Sequence, residues 1–235
     1  MKSKIFIISF IVMPIFVGIS QPKVINNRQI FWPHYFSRFE YGKLTFLADG
    51  SKRFEQNNAY QLIMRAGLAY QLSSNFELAA GFAYSEIYGV GKATRKERRP
   101  WKQITYRTKF NKLNFQARFR LEQRYNFDNK TDKYNYSNER FRFQIQFQYP
   151  IWSKNNKQVS GVLAEEIMLN QGKNVNTFDQ NRIIAGIQYQ WKKGNHILIS
   201  YQNMYQQTRT KNTFDDFDIL RILVVNTFKL KKNDK

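Results

Sequence analysis

The sequence predicts an all-β protein: one antiparallel transmembrane β-barrel of twelve strands, with ten as the alternative count, behind an N-terminal signal peptide. Three observations predict it. Apolar and polar residues alternate with a period of two, which sends successive side chains of a strand to opposite faces. The alternating segments run to roughly 12–15 residues, whereas a tilted membrane-crossing strand needs about 9–11 and a soluble strand averages about 5–6. The connections alternate between short and longer, as in barrels with tight turns at one rim and loops at the other. A soluble exported β-sandwich with one wet face is the competing architecture.

Composition narrows the classes. The 235 residues carry a formal charge of +21 and no cysteine, so disulfides, iron–sulfur clusters and thiol nucleophiles are excluded. Aromatic residues make up 17%, too many for a disordered chain. Met1-Lys2-Ser3-Lys4 is a short basic start, residues 5–19 are apolar apart from Ser9, and Gly18-Ile19-Ser20 offers small residues for cleavage. That is the layout of a signal peptide over residues 1–20, with a single barrel domain over 21–235. The apolar run is too short for a spanning helix, which needs about 20 residues. Without Lys2 and Lys4 the charge is +19. An exported protein does not normally meet nucleic acid, so the charge points toward a membrane setting.

Taken in order, the first clear segments are Gln29–Glu40 and Lys43–Phe54, joined at Tyr41-Gly42. A weaker pattern over Val24–Phe31 is the candidate for a further strand, needed to make the count even. Ala59–Leu72 alternates, turns at Ser73-Ser74 and continues as Asn75–Tyr88. After a polar loop come Glu97–Phe110, a turn at Asn111-Lys112, and a strand to Phe127 in which Phe115, Ala117, Phe119 and Leu121 oppose Gln116, Arg118, Arg120, Glu122 and Arg124. The loop Asp128–Tyr136 leads into Arg140–Tyr149, expected to end at Pro150, whose missing donor suits a strand end. Gln158–Asn170, Thr177–Trp191, His196–Gln207 and Phe217–Leu230 complete the set. Tyr41, Tyr70, Tyr88, Trp101, Tyr125, Tyr149, Trp152, Tyr189 and Trp191 cluster near strand ends, as interfacial aromatic girdles do.

Five boxes stand in order: Glu97-Arg98-Arg99-Pro100-Trp101, Arg118-Phe119-Arg120-Leu121-Glu122-Gln123-Arg124, Glu139-Arg140-Phe141-Arg142-Phe143, Glu165-Glu166, and Phe178-Asp179-Gln180-Asn181-Arg182. Together they resemble an uncharacterised family of outer-membrane β-barrels of Gram-negative bacteria, a domain of unknown function. The resemblance covers essentially the whole chain after residue 20. It implies the fold, a place in the outer membrane among its lipids, and insertion by the barrel assembly machinery. It implies no activity and no cofactor.

With the apolar faces outward, the other faces line a lumen. Arg65, Arg99, Arg107, Arg118, Arg120, Arg124, Arg140, Arg142, Arg182 and Arg221 fall on it, against Glu77, Glu97, Glu122 and Glu166. Turn positions place Glu122 opposite Arg142 and near Arg99 and Trp101, and Glu166 opposite Arg182, within ion-pair reach on one face. Four acids do not neutralise ten arginines, and an unpaired buried charge is too costly to keep dry. The lumen is therefore either a charge ladder that fixes strand register or a wet passage favouring small anions. An outer-membrane lipid hydrolase is a third class, but it needs a Ser–His pair. Only His34 and His196 are available, each read as an ordinary interface residue, and Ser200 lies roughly 13 Å along the strand from His196. Asp215-Asp216-Phe217-Asp218 offers loop carboxylates for Ca²⁺.

Overall fold

The structure is a computed structural model and describes residues 23–230 apart from 57, 92, 93, 209 and 211. The expected signal peptide over residues 1–20 and the basic tail after 230 lie outside the described residues. Eleven strands form one closed barrel: β1 (Val24–Tyr41), β2 (Leu44–Glu55), β3 (Tyr60–Gln71), β4 (Phe76–Tyr88), β5 (Arg95–Phe110), β6 (Leu113–Asp128), β7 (Lys133–Lys154), β8 (Lys157–Gln171), β9 (Phe178–Lys192), β10 (Asn195–Gln207) and β11 (Thr213–Lys229). Every sequential pair is antiparallel, and β1 closes the barrel against β11 in parallel.

The count among the described residues is thus eleven, not twelve or ten. Val24–Phe31 is no separate strand. Nothing turns the chain between it and Gln29–Tyr41, so the two run on as one strand of 18 residues. An odd number of up-and-down strands leaves the first and last pointing the same way, so the seam has to be parallel.

Four of the five short connections turn at left-handed residues. Gly42, Asn111, Asn155, Asn156 and Gly194 all have positive φ, which Gly and Asn adopt most readily. The opposite rim carries the longer loops, before β3, β5, β7, β9 and β11.

The barrel is apolar outside and polar inside. Leu68, Phe82, Ile145, Leu163, Ile187 and Leu220 are exposed on the outer face, whereas Glu97, Glu122, Arg140, Glu166 and Gln202 are buried within. Water would penalise this arrangement and hydrocarbon favours it. Tyr41, Tyr70, Tyr88, Tyr149, Trp152, Tyr189 and Trp191 are exposed around the rims. Trp101 leaves that group: it is 5% exposed and packs inside with Leu47, Ala69, Ala79 and Ala83.

Proline places are informative. The strand with Pro150 does not stop there but runs to Lys154, with a register irregularity at that point, beyond the end of the β6 ladder at Gln148. The β1–β2 ladder skips from Phe31 to His34 across Trp32-Pro33, and the β5–β6 ladder skips from Arg98 to Trp101 across Arg99-Pro100. Proline has no N–H for the ladder, so pairing lapses there. Both lapses lie beside an inward tryptophan. Trp101 lies flat on the wall at Gly67 and Gly81. A Cβ on either glycine would come within 2.7 Å of its ring, so only glycine leaves that room.

Candidate functional site

The lumen holds one cavity of about 1580 Å³. Its wall runs from the tight-turn rim, at Ser74, Lys109 and Gly194, to the loop rim, at Val90, Asn176 and Thr208. Fourteen arginines and Lys109 line it against seven carboxylates, with the fully buried Glu97 behind them, a formal surplus of seven positive charges. All ten arginines assigned inward from alternation line this cavity, as do Glu77, Glu122 and Glu166.

On the β5–β9 wall, arginines meet carboxylates directly. Glu97 accepts from Arg99 Nη2 at 2.5 Å and from Arg124 Nε. Glu122 lies opposite Arg140 and not Arg142, two residues from the expected register. A two-residue slip keeps the same face, so Glu122 still reaches both: it accepts from Arg140 Nε at 3.0 Å and from Arg142 Nη1 at 2.6 Å. Arg142 continues to Glu166 Oε1, with Nη2 at 2.8 Å. Glu166 also accepts from Arg118 Nη2 at 2.6 Å and, more loosely, from Arg182 Nη1 at 3.4 Å across the β8–β9 pair. Arg140 Nη1 reaches Asp179 at 3.1 Å. Strands β6, β7, β8 and β9 are thereby tied by one chain of charge-assisted hydrogen bonds. Arg120 stands partly outside it. It donates to Gln103 Oε1, lies 3.8 Å from Glu122 and stacks 4.5 Å from the Trp101 ring centre.

Asp179 is a member that alternation misses. Arg182 and Gln180 face inward, so period two sends Asp179 outward. The β8–β9 register shifts at Met168/Leu169, and the extra residue turns Asp179 inward, where it is 7% exposed.

The β1–β2–β3–β11 wall is built differently. Arg65 Nε donates to Asp49 Oδ1 at 2.8 Å. His34 belongs to this group and not to the rim: it is 8% exposed inside the lumen. Arg221 Nη2 lies 2.5 Å from His34 Nδ1, and His34 Nε2 lies 3.3 Å from Asp49 Oδ1. An arginine only donates, so Nδ1 accepts and Nε2 carries the hydrogen toward Asp49. Asp49 and Arg53 were legible, since Leu47, Asp49, Ser51 and Arg53 fall on one face of a segment already read as a strand.

Trp32 is the centre of this wall. Arg53 Cζ lies 3.9 Å from its ring centre, Arg221 at 4.4 Å and Arg182 at 5.9 Å. Arg65 is paired with Asp49, and further along toward the tight-turn rim Arg38 and Arg107 are paired with Glu77 at 2.8 and 3.1 Å. Arg53 and Arg221 make no ion pair with a carboxylate among the described residues. Their bonded neighbours are Gln61 Oε1 and His34.

Among the described residues neither histidine bonds a serine, and Ser200 Oγ instead accepts from Gln202. The 215–218 acids sit within β11, not in a loop. Asp215 bonds Asn26, whereas Asp216 and Asp218, on the other face, bond Asn203 and Tyr201. No group of three or more metal-ligating side chains occurs among the described residues.

A solved structure titled "NanC porin structure in rhombohedral crystal form" is similar at 13% identity and a TM-score of 0.40, covering 74% of this chain and 86% of that one, a likeness too distant to carry an argument. No curated protein matches in sequence. A family model described as "Protein of unknown function (DUF2490)" matches residues 29–215. That span takes in most of β1, the whole of β2 to β10 and all five boxes, and the chain belongs to this family.

Proposed function

We propose that the protein is an outer-membrane channel for small anionic solutes, held open by a wall of paired charges. The observation that carries the reading is the cavity whose lining reaches both rims and which, with Glu97 behind it counted, has seven more cationic than anionic side chains. Such a surplus concentrates anions and repels cations within about a Debye length, roughly 8 Å at physiological salt. The apolar outer face and the aromatic rims support insertion in a bilayer, where backbone groups need a closed barrel.

Both readings of the lumen find a place in it. The β6–β9 network is the charge ladder, because its carboxylates sit between arginines of neighbouring strands. The Trp32 side supplies the unneutralised charge that favours anions. Purified protein in planar bilayers tests the reading. A salt gradient is expected to give a reversal potential on the anion side, and cation preference or a silent bilayer overturns it. Membrane fractionation tests the location: the folded chain is expected in the outer-membrane fraction and to need detergent for release.

A further inference from the structure

Arg53, Arg182 and Arg221 arrive from β2, β9 and β11 and gather on one indole ring. Like charges so placed repel, and a buried guanidinium without an acceptor is costly. The proteinaceous acceptors are few and mostly neutral: Gln61 Oε1 for Arg53, His34 Nδ1 for Arg221, and Gln180 Oε1 at 2.6 Å for Arg182. Arg182 adds only the 3.4 Å contact with Glu166. Four buried donors are left over together: Nε of Arg53, of Arg182 and of Arg221, and Nε1 of Trp32. All four residues line the cavity.

We propose that this cluster is a binding site for one oxyanion, a phosphate or carboxylate group, held by the Arg53, Arg182 and Arg221 guanidiniums beside Trp32. Three planar forks and an indole N–H offer directional donors that match the several oxygens of an oxyanion and exceed what a spherical halide uses. The anion supplies the negative charge that this wall lacks, while the opposite wall has its own in Glu97, Glu122 and Glu166. The proposal rests on the reading of the lumen as a wet cavity, but not on the cavity conducting. An anion needs to enter from one rim only.

The test uses the full folded chain in detergent and inorganic phosphate as the probe, titrated calorimetrically at constant ionic strength in chloride. Saturable binding to one site is expected, with a rise in the melting temperature of the folded band as phosphate is added. Arg53→Gln and Arg221→Gln are each expected to weaken binding about tenfold or more, with Arg53→Lys between them and the parent because it keeps charge but loses the fork. Lys154→Gln, on the exposed tight turn, is expected to bind as the parent does. Phosphate binding no tighter than chloride, or unchanged binding in the Arg53→Gln/Arg221→Gln double variant, overturns the site. A silent bilayer with saturable phosphate binding removes the channel and keeps the site. Anion-selective conductance without saturable phosphate binding removes the site and keeps the channel.

Discussion

Arg140 and Arg53 both enter the lumen from strand interiors, yet their surroundings are opposite. Arg140 lies between two carboxylates, Glu122 and Asp179, and its donors are taken. Arg53 lies against an aromatic ring with a single amide oxygen for company. On the first wall each of Glu97, Glu122 and Glu166 serves at least two arginines, and Asp179 serves Arg140. The second is open, its field directed into the cavity. The same side chain is thus structural or available for a ligand according to whether an acid on a neighbouring strand reaches it.

That contrast makes the consequences of substitution unequal. Among the described residues Glu97 is the only carboxylate paired with Arg99 and Arg124. Glu97→Gln strands both, and leaving a buried charge unpaired costs about 3–5 kcal/mol. It is expected to lower the melting of the heat-modifiable band on semi-native gels more than any other change named here. Glu122→Gln is expected to cost less, about 1.5–3 kcal/mol, because Arg142 keeps Glu166 and Arg140 keeps Asp179. Equal losses for the two would mean that the network shares charge more widely than its pairs indicate. Gly81→Ala drives a Cβ into the Trp101 ring and the Ala66 carbonyl, at about 1–3 kcal/mol. The same gel reads it, and quenching of Trp fluorescence by iodide reads any exposure of the displaced ring.

On the open wall the sign reverses. Arg53→Gln or Arg221→Gln removes a charge from a repelling cluster, so in phosphate-free buffer melting is expected to hold or rise by an equivalent of about 0–1 kcal/mol. Loss of stability comparable with Glu97→Gln would erase the distinction between the walls. Gly50→Ala, with nothing near its new Cβ, is expected to stay within about 0.5 kcal/mol of the parent and sets the floor of the series.

The sequence makes the paired wall more legible than the open one, for a physical reason. Arg118-Phe119-Arg120-Leu121-Glu122 is uninterrupted alternation, so period two alone places each charge on its face. Trp32 follows a weakly alternating start and precedes a proline, and Trp101 follows one. Trp101 looks like a rim aromatic until its strand is paired with its neighbours, and Trp32 carries no signal of its own. Alternation puts Glu122 on its face but not in its register, because it fixes faces and leaves the slip between hairpin strands to the turn. The bulge that turns Asp179 inward is a property of two strands together and is invisible in either alone. Strand counting along the sequence also predicts an even barrel. Only the continuity of the chain from Val24 to Tyr41 shows otherwise.

The parallel seam has a consequence for how the molecule comes to exist. It joins Asn26 to Asp215, 189 residues apart, whereas every other ladder is closed by a short connection. Loop-closure entropy sets this contact last, after the hairpins have formed, and parallel pairing is slightly weaker per residue than antiparallel. Until β11 is made, β1 offers a bare edge to any strand it meets. The seam is accordingly where the sheet finishes closing, and where it would first come open under force or heat.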